Sequence, residues 1–276
     1  MLTTPLQSPG VKSVLVRRRG DRLERDMVVV EEPLEIHVNG QPLVVTMRTP
    51  GHDAELAAGF LFGEGVLNDA IGPSSVQVQP GNGQRDTQIR VANFLGDTVN
   101  VTLKEDPAEP SVALAQREFR ATAACGVCGK TEIGDLDSDL PAIVPMEADP
   151  DFLETLPGAL RRAQKLFEAT GGIHAAGIFN RHGSLLCSYE DIGRHNAVDK
   201  AVGHFVLKNG VPLAEHVLVV SGRAGFELVQ KALKASIPVM VSVGAASSLA
   251  VQMATDAGMA LYSFAGPGHG NLHVKD

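Results

Sequence analysis

Tryptophan is absent from this chain, tyrosine occurs twice, and cysteine three times in 276 residues. A small, odd number of thiols argues against a disulfide framework. The shortage of large aromatics argues against stacking on single-stranded nucleic acid. Positive charge is also short, since 24 lysines and arginines face 32 aspartates and glutamates for a formal charge of −8. A general hold on nucleic-acid phosphates needs the opposite field, so no nucleic-acid partner is expected. A local anion site built from backbone N–H groups stays open. No stretch approaches the ~18 uncharged apolar residues of a membrane span, and the opening MLTTPLQSPGVKSVLVRRRGD has no apolar core of signal-peptide type. The expectation is a cytoplasmic protein with no membrane partner. In that reducing compartment paired cysteines more often serve chemistry or metal than a structural bridge. What is present, 44% hydrophobic and 20% charged residues, is the composition of a globular protein of one large or two ordinary domains.

The N-terminal third reads as β-rich. LEIHV and QPLVVTM flank Asn39-Gly40, a hairpin signal because both residues tolerate positive φ. Pro42 makes its strand an edge or delays its start. TPGHDAELAAGFLFGEG places Leu56, Phe60 and Leu61 at helical spacing, with Gly63 and Gly65 ending the helix. SSVQVQ, TQIRVANF and DTVNVTL read as further strands, and KEDPAEPS (104–111) as a connection.

The C-terminal half has another rhythm. SLLCSY leads into EDIGRH and a helix NAVDKAVGHFVLKNG; HVLVV into SGRAG and a helix FELVQKALKAS; PVMVSV into GAASS and LAVQMATDAG. ALYSF then runs into AGPGHGN. Short apolar strands followed by Gly-rich loops and helices predict a mainly parallel sheet with helices on its faces. The loops leaving the carboxyl ends of such strands share one edge, where helix N-termini favour anions. Glu190, Asp191, Arg194, His195, Asn196, Ser221, Arg223 and residues 266–270 would line that rim. The division expected is a β-rich part over 1–115, a mobile C-x-x-C loop region over 116–150 and an α/β cofactor-binding domain over 151–276.

ATAACGVCGKTE holds Cys125 and Cys128 in a C-x-x-C with a glycine after each. A structural zinc site needs about four ligands, and Cys187, in an apolar strand, is the one other thiol. His174 could add a ligand, but the nucleobase deaminases that combine such groups need a glutamate where this chain has Ala176, and their order of motifs is inverted here. A thioredoxin-like pair would open a helix directly after a strand, whereas this stretch is polar and Gly-rich on both sides. Arg120 and Lys130 flank the pair and could raise its thiolate fraction. From the residues alone, a nucleophilic or sulfur-relay loop and a redox pair stand level. GPGHGN lacks dinucleotide-fingerprint spacing and reads instead as a flexible clamp on a polar group. In EDIGRHNAVDK the bland alternative is a helix cap from Asp191 or Asn196 with a solvated first turn.

Taken together, TPGHDAELAAGFLFGEG, CGVCGK, TGGIHAAG, EDIGRHNAVDKAVG, SGRAGFELVQKA and GAASSLAVQMA resemble the formate dehydrogenase accessory sulfurtransferase family (FdhD). The resemblance runs from EEPLEIHVNG to NLHV. It implies an α/β fold (α+β overall): a β-rich N-terminal part plus a C-terminal three-layer α/β part resembling the cytidine deaminase-like fold, usually as a homodimer. It further implies sulfur transfer. A cysteine desulfurase would hand sulfane sulfur to Cys125 as a persulfide, with Cys128 assisting or resolving it. The sulfur would pass to the molybdenum of bis-molybdopterin guanine dinucleotide before that cofactor enters formate dehydrogenase. The family's guanine-dinucleotide contacts would fall on Phe264, Ala265, Gly266, Pro267, Gly268 and His269, beside the rim residues Arg194, His195, Ser221 and Arg223. GDP would be a surrogate ligand. Family members often carry an arginine where this chain reads FAGPGHGN, so phosphate contact here would rest on backbone N–H groups and His269.

Overall fold

A computed structural model describes residues 8–67, 77–80, 97–103, 140, 141 and 143–274, with the backbone alone for 77–80. Cys125 and Cys128, the strand expected at TQIRVANF and most of the expected loop region lie outside the described residues.

The chain opens with an antiparallel hairpin that the sequence reading did not anticipate, β1 (Val11–Arg17) and β2 (Leu23–Val29). The hairpin read around Asn39-Gly40 is present as β3 (Glu32–Val38) and β4 (Gln41–Arg48), with φ of 49° and 78° at its two turn residues. With β5 (Gln77–Pro80) and β6 (Asp97–Thr102) it forms a four-stranded sheet of order β4-β3-β6-β5. β4 is therefore an edge, where Pro42 leaves no central ladder bond unmade. Leu34, Ile36 and Val38 alternate onto the buried face and meet α1 (Asp53–Gly63). Gly65, at φ 75°, follows where the helix stops.

Short helices α2 (Pro150–Leu153), α3 (Leu156–Ala163) and α4 (Lys165–Thr170) precede a six-stranded sheet. Its strands are β7 (His174–Asn180), β8 (Leu185–Asp191), β9 (His216–Val220), β10 (Val239–Ser242), β11 (Ala260–Gly266) and β12 (His269–His273), in the order β12-β11-β10-β9-β7-β8. The helices α5 (Arg194–Val206), α6 (Phe226–Lys234) and α7 (Ser248–Ala257) follow β8, β9 and β10. β9, β10 and β11 are parallel neighbours, as expected. The sheet is nonetheless more mixed than the sequence indicated, because β7 is inserted antiparallel between β8 and β9 and β12 folds back on β11. β8 still points the same way as β9, β10 and β11, so all four carboxyl ends share an edge with the first residue of β7, His174.

β7 escaped the sequence reading because HAAGIFN has small residues where strands usually carry branched ones. Packing explains them: a methyl on Gly177 would come within 2.9 Å of Leu160 of α3. The central strands are buried on both faces. Leu218, Val220 and Met240 face a cluster with α1, α5, α6 and α7, while Val217, Val219, Val239 and Val241 face Leu153, Leu156 and Leu160. This is a three-layer arrangement. Leu34, Ile36, Val99 and Val101 of the smaller sheet belong to the first of these clusters, so one apolar core joins the N-terminal strands to the α/β part. Where α1 crosses α5, the backbones touch at Gly59 and Gly203: a methyl on Gly59 would overlap the carbonyl oxygen of Asp199, and one on Gly203 that of Glu55. Among the described residues no helix is long and apolar enough to cross a membrane.

Candidate functional site

The segment EDIGRHNAVDK divides into residues that hold the fold and residues left at the rim. Asp191, fully buried at the end of β8, accepts from Lys200 Nζ (2.7 Å) and Thr49 N (3.1 Å) through Oδ2. Its Oδ1 accepts from Gly193 N (2.8 Å) and Asn196 Nδ2 (3.0 Å). Lys200 Nζ also donates to Thr49 O (2.9 Å), Asn196 Nδ2 to Met47 O (2.8 Å), and Ile192 N to Thr49 Oγ1 (3.1 Å). Both ions are thereby paired and hydrogen-bonded, the condition for burying charge. The network ties α5 to the β4–α1 junction. There Arg48 binds Asp53 through two bonds of 3.0 Å and Asp97 through one of 2.5 Å. Glu190 accepts from Leu166 N (2.9 Å) and Phe167 N (2.8 Å), capping α4. Burial pushes its carboxyl up, against the pull of those amides and of Arg161. Glu190, Asp191 and Asn196, which the sequence reading set along a ligand rim, are thus occupied structurally. The N-cap of α5 is Gly193, with no side-chain cap, rather than Asp191 or Asn196.

Arg194, His195, Ser221 and Arg223 do come together at the carboxyl ends of the strands. Ser221 Oγ accepts from Ala175 N (2.8 Å) and Ser221 N donates to Ala175 O (2.9 Å), which fixes the end of β9 beside β7. His174 lies beside Gly222: a methyl there would stand 3.3 Å from His174 Nδ1 and 3.9 Å from Arg194 Cβ. Next along, a methyl on Gly244 would stand 3.1 Å from Arg223 Cα, and Phe264 N donates to Gly244 O (3.1 Å). The rim is therefore continuous from His174 through Arg223 to Phe264. It is also basic. Burial holds the His174 imidazole below its ordinary range, and the charges of Arg194, His195 and Arg223 add to that. His195 Nε2 meets the carboxylate of Glu227 in the first turn of α6. That contact keeps the Glu227 carboxyl below the usual value despite its burial. Glu227 was missed by the sequence reading, although an acid in the first turn after SGRAG was the available signal. His174 was weighed there for zinc alone.

The segment Phe264 to His269 is a β-hairpin rather than a free clamp. Gly266 ends β11, His269 starts β12, and Gly268 takes φ 76° in the turn. Ala265 and Gly266 are buried, while Pro267, Gly268 and His269 are exposed. His269 Nδ1 donates to Phe264 O (2.7 Å), and Phe264 is held at φ 52° with 51% of its surface open. Gly270 is required by contact, because a methyl there would overlap the Tyr262 ring. Cys187, the one thiol among the described residues, is a poor nucleophile: burial pushes it up to about 11. Among those residues no group of three or more His, Cys, Asp or Glu could hold a metal ion.

Helices on both faces of a mixed sheet, with a basic rim where the strands end, define the class: a three-layer α/β protein. The model of the FdhD/NarQ family matches residues 29–275, and the chain belongs to that family. It is 46% identical over 273 residues to "Sulfur carrier protein FdhD" of Corynebacterium efficiens, covering 95% of this chain and 94% of that one. The protein of the same name from Mycobacterium tuberculosis is 44% identical, with 90% and 92% covered. That from Sulfurisphaera tokodaii is 36% identical, with 94% of each covered. A crystal structure from Desulfotalea psychrophila, described as a candidate formate dehydrogenase accessory protein, superposes with a TM-score of 0.69 over 96% of each chain. At 22% identity that likeness concerns the fold alone.

Proposed function

We propose that this protein is a cytoplasmic, homodimeric sulfur carrier that serves formate dehydrogenase by sulfurating its molybdenum cofactor. The supporting observation is the end-to-end similarity to proteins named sulfur carriers, 36% to 46% identical over nine-tenths of the chain or more. In this reading a cysteine desulfurase is the donor. The Cys125 thiolate attacks the outer sulfur of the donor persulfide, a new S–S bond replaces the old one, and the donor leaves as a thiolate. No net oxidation occurs. Delivery as sulfide needs two electrons. The Cys128 thiolate supplies them by attacking Cys125 Sγ, expelling hydrosulfide to the molybdenum and leaving a disulfide that a dithiol reductant reopens.

The substrate, bis-molybdopterin guanine dinucleotide, carries guanine nucleotides whose phosphates match a rim of Arg194, His195, Ser221 and Arg223 with helix N-termini behind it. On an acidic chain such a local basic site is what an anionic substrate requires. Phe264 to His269 would meet the same nucleotide, and GDP would serve as a surrogate. The test is sulfur uptake. Incubation with a desulfurase and labelled cysteine should add one sulfur, about 32 Da, to the protein by mass spectrometry, as a persulfide. Cys125→Ala should abolish the gain. Uptake at the wild-type level in that variant would leave a cofactor-binding chaperone, whose cysteines only dock partners, as the better reading.

A further inference from the structure

Of the rim histidines, two stand beside Arg194 and Arg223, and their surroundings differ. His195 has a carboxylate against Nε2, that of Glu227, which itself lies one helical turn from Lys231. Among the described residues His174 has none to use. The acid paired with it across the β7–β8 register is Asp191, but both Asp191 oxygens are filled by Lys200, Thr49, Gly193 and Asn196. A carboxylate offers about four acceptor positions, so none is left for an imidazolium. Among the described residues, the other charged groups that act most on His174 are Arg194 and His195 from α5 and Arg223 from the loop after β9, all basic. α5 also points its positive end this way, and it places Arg194 and His195 in the turn where a helix favours acids.

We propose that His174 is the proton-linked residue of the rim: neutral while no anion is bound, and protonated when a diphosphate lies against Arg194 and Arg223, so that ligand binding takes up a proton. The ligand class is a doubly esterified diphosphate, the link found in dinucleotides. This rests on the reading above that the rim receives nucleotide phosphates. The sign follows from the surroundings. In the free protein, burial and then Arg194, His195 and Arg223 hold His174 low. An arriving diphosphate neutralises the cations and adds an acceptor, which raises it. Between the two values a proton is bound on ligation. Affinity therefore rises as pH falls through the ligated value and levels off below the free one. The steepest change is about tenfold per pH unit, the limit for one proton. His195 already has the Glu227 carboxylate against Nε2, a partner that His174 lacks among the described residues.

The probe is di(guanosine-5′) diphosphate, whose esterified phosphates carry no titrating proton near neutrality, unlike the terminal phosphate of GDP. Calorimetric titration of the full chain in two buffers of different ionisation enthalpy gives the number of protons taken up. Uptake of a substantial fraction of one proton near pH 7 is expected in the wild type. It should be lost in His174→Gln and kept in His195→Gln. Binding with no proton uptake, or uptake that survives His174→Gln and disappears in His195→Gln, would overturn the assignment while leaving the nucleotide rim standing. Absence of binding would overturn both. Neither result touches sulfur uptake at Cys125, which is read separately. Should His174→Gln fold poorly, the wild-type dependence of affinity on pH decides the matter: a flat profile across the neutral range contradicts the assignment.

Discussion

Asp191 and Arg194 stand three residues apart and answer to different demands. Asp191 is sealed under Lys200 and Thr49, so Asp191→Asn leaves a buried ammonium without its counter-ion. Breaking a buried pair from one side typically costs about 3–5 kcal/mol. Chemical denaturation should show a loss of that order, whereas Arg194→Gln, at the half-open rim, should stay within about 0.5 kcal/mol of the wild type. A denaturation midpoint for Asp191→Asn equal to the wild type's would mean that the network does not hold α5 to the β4–α1 junction. Sequence could name both residues as chemistry-bearing but could not sort them. The difference lies in Thr49 and Met47, more than a hundred residues away in the chain.

At the level of elements, the crossing of α1 on α5 is set by two glycines inside helices. Helix propensity alone would reward Gly203→Ala by up to about 1 kcal/mol. Sterics oppose it, since the methyl would fall on the Glu55 carbonyl, backbone that cannot swing aside. Overpacking costs about 1–3 kcal/mol even when side chains can yield, so the substitution should destabilise by the top of that range or more. A thermal melt of Gly203→Ala at or above the wild-type midpoint would show that the helices do not approach as described. The helices themselves were legible from periodicity, and β3, β4 and β9 to β11 from their branched residues and turn signals. β7 was not, because Gly177 is chosen by the neighbours it faces, Leu160 and Leu185, and the buried Ala175 and Ala176 are small as well, rather than by strand propensity. The glycines of GPGHG were visible but read as freedom, when Gly270 marks the place where the Tyr262 ring leaves no room for a side chain.

For the whole molecule, the balance of perturbed carboxylates sets the acid limit of stability. The contact with His195 holds Glu227 below the ordinary glutamate value of 4.5, and His52 does the same for Glu55. Groups held low in the folded state contribute stability above that value, and lose it as pH falls through the folded value. Glu190 and Asp199 work the other way: burial raises both, so their contributions are complete below the ordinary values of 4.5 and 3.8 and are lost as pH rises through the folded ones. With two groups on each side the contributions oppose one another, but the loss through Glu227 can be isolated: His195→Gln should make the midpoint of unfolding fall less steeply below about pH 4.5 than in the wild type. Melting curves between neutral and acid pH measure both. An identical acid limb in the variant would mean that the His195–Glu227 contact carries none of this stability.

The order of residues determined a good deal unaided: branched strands, amphipathic helices, the turn at Asn39-Gly40, and a family of motifs that pointed to sulfur chemistry. The elements are local properties, fixed by side-chain periodicity and by which residues tolerate which backbone angles, whereas the sulfur chemistry is what the resemblance of the motifs implies. Folding in three dimensions decided the rest. It set β7 antiparallel between β8 and β9, turned Asp191 and Asn196 inward to bind Thr49 and Met47, and left His174, Arg194 and Arg223 together at the strand ends. Partners distant in the chain settle whether a charged residue is a strut or a ligand contact, because burial and pairing belong to the assembled fold and to no single stretch of it.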